Sequence, residues 1–345
     1  MKRLNRRENH TPQASDKLIK VFDKRWIFIK PQEKIVVEND HFLILGRKNF
    51  CFKEQVIPIL NTRNIICIGN TNLDSEVIQI CLDNRIFIIF LDIANNHLGD
   101  LNPSPGKILS SLHQDIMLAQ YFAYGAIKNL KRWSQRINRE GSKTLPGHKS
   151  TLKRIDSILQ ELMLFEHENV QQINGLIGEV FRNFYSKKIQ SLIGAEWEYK
   201  VNSPLKLMLD FVEELLANQA RLALIQCGIN PYLGIINNSK RGGRPGLAID
   251  LSLEYRPWGY ALISTMINKK QICLGDFDDW HQGDRLPVNI LNKIITAYRK
   301  KINSQKYIAA VKSKISYSES FLVQSEQIKL YLEKHHDEYA SIEYN

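Results

Sequence analysis

The sequence predicts an α+β chain, with an N-terminal β-rich domain followed by an all-α C-terminal domain. Three observations carry that reading. Residues 25–100 hold short runs of β-branched, aromatic and other apolar residues broken by polar turns. A Pro/Gly cluster at residues 102–106 then punctuates the chain. Beyond it, apolar residues recur at helical spacing.

Taken in order, residues 1–22 are polar and basic and are expected to form a flexible arm. Strands are expected at residues 26–29, 34–37, 42–45, 50–52 and 65–68, where the side chains suit a pleated, half-buried surface. Residues 73–84 are expected to be helical, because Leu73, Val77, Ile80 and Cys81 fall on one face. Residues 85–91 read as a buried strand, which completes an N-terminal domain over 23–103. In the C-terminal domain, 107–330, Leu152, Ile155, Leu159 and Leu162 mark one amphipathic helix. Leu205, Met208, Val212 and Leu215 mark another. Both stripes suit plain core packing. Residues 141–148 interrupt two helices and are expected to form an exposed loop that reaches nucleic acid. Residues 331–345 form a C-terminal tail.

The charge points to a polyanionic partner. The 345 residues include 47 basic and 36 acidic ones, a net charge of +11. Residues 128–154 hold nine basic residues, Lys131, Arg132, Arg136 and Arg139 among them, against one acidic residue, Glu140. Phosphate contacts made by such a cluster release counterions, so binding should be salt-sensitive and blind to base sequence. The five cysteines are scattered without a Cys-x-x-Cys pair, which fits a reducing compartment and argues against a zinc knuckle. The first residues lack the apolar core of a signal peptide, and no apolar run nears the roughly 20 residues needed to span a bilayer. A cytoplasmic protein without a membrane partner is expected.

Two motifs stand out. The first places Gly175 and Gly178 ahead of Arg182 and the aromatic pair Phe184 and Tyr185. The second begins at Pro231, Leu233 and Gly234. It continues through a Gly-rich basic loop with Lys240, Arg241 and Arg244, and closes on Leu247, Ala248, Ile249, Asp250 and Leu251, then Arg256 and Pro257. Together they resemble the CRISPR-associated integrase family, the nucleases that insert new spacers into CRISPR arrays. The resemblance covers about residues 25–300.

The resemblance implies a ligand set that this chain departs from. The family's metal-binding Glu falls at Ile177. A second alignment puts Glu179 there and loses the second Gly, the Arg and the aromatic spacing. Glu179 lies two residues on, about 200° around a helix, and does not simply stand in. The family His falls at Asn237, or at Asn238 with a shifted gap. Asp250 matches the first acidic residue of the closing segment, and the second, a metal ligand, falls at Leu253. Glu254 follows one residue later, at i+4 from Asp250, and can share a helix face with it.

Family chemistry is metal-assisted attack of a DNA 3′-hydroxyl on a phosphodiester. It needs Mg²⁺ or Mn²⁺ held by oxygen ligands, with an imidazole tolerated for Mn²⁺. Ile and Leu offer no ligand. The chain is therefore expected to be a catalytically silent, DNA-binding or scaffold member with no cofactor. The rival reading is an active nuclease with Mg²⁺ or Mn²⁺ on a displaced site of Glu179, Asp250 and Glu254. DNA contacts are expected from Arg182, Arg256, Lys240, Arg241, Arg244 and the basic stretch. The family plan implies a homodimer through the N-terminal domain, a small ferredoxin-like adaptation partner, double-stranded or branched DNA, and here pairing with an active paralogue.

Overall fold

A computed structural model describes residues 25–343, apart from residues 32, 49–50, 85, 93–96, 102–114, 141–147, 165–169, 185–188, 238–244, 282–284, 309–312 and 334–337. The basic arm, the Pro/Gly boundary at 102–106 and all but the last residue of the 141–148 loop lie outside the described residues.

The first part runs β1 (Arg25–Ile29), β2 (Lys34–Glu38), β3 (His41–Lys48), β4 (Cys51–Pro58), β5 (Thr62–Ile68), α1 (Ser75–Asp83), β6 (Phe87–Leu91) and β7 (His97–Leu101). These strands make two sheets. One has the order β1-β5-β6-β7, parallel except for β7. The other is the antiparallel β2-β3-β4 meander. Side chains alternate across a strand, and both sets are used here. Ile27, Ile29, Ile65, Cys67 and Ile88 pack against Ile35, Phe42, Ile44 and Ile57 of the meander and Val77 and Cys81 of α1. Phe28, Ile66, Ile68, Phe87, Ile89 and Leu91 join the helical core on the opposite side. Burial on both faces explains why residues 65–68 of β5 and the whole of β6 read as unbroken apolar runs.

The helical part runs α2 (Ile116–Glu140), α3 (His148–Leu164), α4 (Val170–Phe184), the short α5 (Gln190–Ile193), α6 (Pro204–Gln226), α7 (Gly246–Ser252), α8 (Arg256–Asn268) and α9 (Val288–Ile302). It then forms a hairpin, β8 (Gln305–Ile308) and β9 (Ser313–Ser316), and ends in α10 (Tyr317–Leu332). α6 is the central helix, and every residue from 215 to 224 is buried. Its start is set by Ser203, whose hydroxyl accepts the Lys206 amide at 3.2 Å, and by Pro204 in the first turn.

Two details differ from the expectation. The C-terminal part is not all helix, because β8 and β9 pair as an antiparallel hairpin. Its four-residue strands bury little beyond Ile308 and Ile315, so the sequence carries almost no strand pattern there. The second is that described residues of the expected C-terminal tail, 331–345, contribute to the core. Tyr339 is 2 % exposed, Ile342 1 %, and both belong to the helical core.

Candidate functional site

The described residues of the second motif, 231–237 and 245–257, form a cradle. The carbonyl of Pro231 accepts the amides of Leu247 at 2.9 Å and Ala248 at 3.3 Å, donors that the first turn of α7 would otherwise leave open. Gly234 and Gly246 pack backbone to backbone. A Cβ on Gly246 would sit 2.4 Å from the Asn237 carbonyl and 2.9 Å from the Gly234 Cα. No side chain fits at either position, which is the physical reason for both glycines.

Asp250 staples this cradle from inside. Its Oδ2 accepts the amides of Ile235 at 2.6 Å and Ile236 at 3.0 Å. Its Oδ1 accepts the Asn237 amide at 2.9 Å and the Asn237 Nδ2 at 2.7 Å. The residue is fully buried. Burial pushes its carboxyl up to about 6, and the four donors act in the opposite sense.

The two acids at i and i+4 are not a pair. α7 ends at Ser252 and the next turn, Leu253–Tyr255, is a 3₁₀ turn. Glu254 turns to the C-terminal residues. It accepts the Tyr339 hydroxyl at 2.9 Å, the Ile342 amide at 3.0 Å and the Gln324 Nε2 at 3.2 Å. It too is fully buried, and burial raises its carboxyl to about 8. Gly125 of α2 permits this approach, since a Cβ there would lie 3.1 Å from the Glu254 Cδ and 2.6 Å from the Ser341 Cβ.

The first motif lies on α4. Ile177 is 2 % exposed and packs in the helical core, as does Leu253 at 3 %. Glu179 faces out instead. Arg154 of α3 grips it with two bonds of 2.9 and 3.0 Å and holds it below the usual carboxylate value. Glu179, Asp250 and Glu254 are thus committed to three different tasks. Among the described residues, no group of three or more His, Cys, Asp or Glu is gathered to hold a metal. The residues present do not fit the divalent ion that the resemblance implies. Ile177 and Leu253 bring no donor atom, and the Asn237 side chain is turned to Asp250 through its Nδ2.

The basic residues divide. Arg256 is mostly buried. It bonds Glu213 of α6 at 3.1 Å and lies 5.3 Å over the Phe181 ring, while Tyr260 donates to the other Glu213 oxygen. Arg182 is exposed and folds back towards the Gly178 carbonyl at 3.4 Å. Lys131 pairs with Asp156, and Arg132 with Glu343. Arg136 and Arg139 are exposed. Asn238, Lys240, Arg241 and Arg244 lie outside the described residues.

Sequence reasoning missed Glu213, Asp100 and Tyr339. Asp100 of β7 pairs at 2.7 Å with Arg221 of α6, which is 1 % exposed and also donates to the Tyr232 hydroxyl at 3.1 Å. An arginine in the middle of an apolar helix was the available signal, since a buried charge demands a partner. Glu213 and Tyr339 carry no local signal.

The comparisons agree with this arrangement of parts. A family model described as CRISPR associated protein Cas1 matches residues 27–300. A CRISPR-associated endonuclease Cas1 of Thermus thermophilus is 24 % identical over 287 residues, spanning 78 % of this chain and 82 % of its own. In fold, a casposase bound to integration product aligns with a TM-score of 0.69 at 15 % identity over 92 % of each chain. A chain of a Cas6-RT-Cas1–Cas2 complex aligns at 0.67 and 14 % identity, over 92 % of this chain and 36 % of that one. With its two motif frames inside the matched span, the chain belongs to the CRISPR-associated Cas1 family of adaptation integrases and endonucleases.

Proposed function

We propose that this chain is a catalytically silent, DNA-binding subunit of the CRISPR adaptation machinery. The observation that carries the reading is the chemistry at the three ligand positions. Ile177 and Leu253 are apolar and buried, and Asn237 is locked to Asp250. A phosphoryl-transfer site must neutralise charge on the phosphate and on the leaving oxygen. Nothing at these positions does so. The frame has been kept while the ligands have gone, which favours a scaffold over a nuclease with a rearranged site.

DNA binding rests on different residues. The net charge of +11 and the exposed Arg136, Arg139 and Arg182 favour phosphate contacts. The casposase neighbour is bound to its integration product, and another neighbour stands in a complex with Cas2. By analogy, this chain acts as a homodimer alongside a small ferredoxin-like partner and an active paralogue.

The deciding experiment incubates the purified chain with labelled duplex and branched DNA in Mg²⁺ or Mn²⁺, with binding followed in parallel. Binding without nicking or strand transfer is expected. Metal-dependent transfer by the wild type would overturn the silent reading, and absence of binding would overturn the DNA-binding one.

A further inference from the structure

α2 and α3 enclose an open groove of about 690 Å³. Lys128, Lys131 and Arg132 line it from α2 at i, i+3 and i+4, so they share one helix face. Tyr124 and the half-exposed Met163 add an apolar shoulder. This is the shape and charge of a surface that takes a phosphate chain, and it already holds two anions of the protein's own: Asp156 of α3 pairs with Lys131 on the far wall. The Glu343 carboxylate reaches both Lys128 and Arg132.

Glu343 is delivered by an anchored strap. Tyr339 and Ile342 are buried and bonded to Glu254. Asn129 donates to the Ile342 carbonyl at 2.9 Å, and Ser341 donates to the Tyr121 carbonyl at 2.7 Å. The strap therefore cannot leave without opening the core. Its last described side chain can. Glu343 is 33 % exposed, Lys128 30 % and Arg132 32 %, so their ion pairs stand at the solvent boundary, where such pairs contribute little. A phosphodiester offers the same charge, geometry that suits the Arg132 fork, and counterion release that a single carboxylate lacks.

We propose that the Lys128, Lys131 and Arg132 face is a docking surface for DNA backbone phosphates, and that Glu343 is its built-in competitor. Phosphate displaces the Glu343 side chain while Tyr339 and Ile342 stay in place. The proposal rests on the reading of this chain as a DNA-binding protein. It adds where one contact lies and what weakens it.

The test measures binding of a labelled DNA duplex to the full chain by fluorescence anisotropy across a salt series. E343Q should tighten binding roughly three- to tenfold at low salt, as expected for removing a rim charge that competes with the ligand. E76Q makes the same change in net charge on α1, where the residue is exposed, and should change affinity by less than about twofold. K128A/R132A should weaken binding and lower the salt slope by about two. In that background E343Q should add nothing. Melting curves of the same preparations check folding. If E343Q melts early, E343D supplies the second test, because its shorter side chain draws the charge back from α2 and should also tighten binding. A gain no larger than that of E76Q, or a gain that persists in K128A/R132A, would overturn the proposal and leave DNA binding intact. Failure of both wild type and E343Q to bind would overturn the two readings together.

Discussion

Asn237 donates twice to one oxygen of Asp250, once from its backbone amide at 2.9 Å and once from its side chain at 2.7 Å. Asn237, one of the two positions at which the resemblance places the family histidine, is thereby turned inward, onto the first acidic residue of the same motif. An amide does this well, because Nδ2 is a donor and the carboxylate only accepts. Asp250 is thus held as the staple of a turn, with four hydrogen bonds made inside the motif.

Removing that staple should unfold the cradle. Asp250→Ala leaves three backbone amides without an acceptor, that of Ile235 buried and those of Ile236 and Asn237 part-buried, at a cost of about 3 kcal/mol. Asp250→Asn keeps the size but turns donors against donors, and should cost about 2 kcal/mol. Chemical denaturation of the two variants reads both values. A loss below about 1 kcal/mol for the alanine variant would contradict the staple role.

Glu254 should make stability fall as pH rises. Burial raises its carboxyl to about 8, far above its ordinary 4.5. The folded state therefore holds this proton more tightly than the unfolded chain does. The unfolded chain loses it first, and stability declines from about pH 4.5 to about pH 8. Glu254→Gln carries no such charge. The melting temperature of Glu254→Gln relative to wild type should rise by several degrees between pH 5 and pH 8.5. A difference that stays constant over that range would rule out a raised carboxyl.

Restoring one family ligand should harm the protein. Ile177→Glu places a carboxylate at a site only 2 % exposed in the helical core. The expected loss is about 3 kcal/mol or more, as for an unpaired buried charge. Mn²⁺ should not recover the melting temperature, since Leu253 and Asn237 provide no completed ligand set. A rise in melting temperature with added Mn²⁺ would show that the site still gathers a metal.

Asp100 and Arg221 join the sheet edge to the central helix. Arg221 is 1 % exposed, and its Nε and Nη1 have no hydrogen-bond partner among the described residues. Asp100→Asn removes the carboxylate paired with it, at about 3–5 kcal/mol. Arg221→Met should cost less than Asp100→Asn, because it leaves no buried charge behind. Paired unfolding curves give the order, and the reverse order would show that the guanidinium relaxes to water.

Most strands of the N-terminal part were legible as runs of β-branched and aromatic residues. β6 was read from residue 85 and begins at Phe87. Helices α3 and α6 were legible from the spacing of core positions such as Ile155 and Met208, which are buried as that spacing requires. The hairpin β8–β9 was not, because four-residue strands repeat the alternation too few times to stand out.

By itself the sequence determined the family, the order of sheet and helix, and the absence of donor atoms at Ile177 and Leu253. These depend on residue type and on short-range spacing, which the chain carries openly. Only the tertiary structure decided what the acids do. Asp250 and Glu254 are four residues apart and look alike on paper. One closes a turn 13–15 residues upstream, and the other holds Tyr339, 85 residues downstream. Such pairings arise from how helices pack, and packing brings together side chains whose partners leave no periodic trace in the chain.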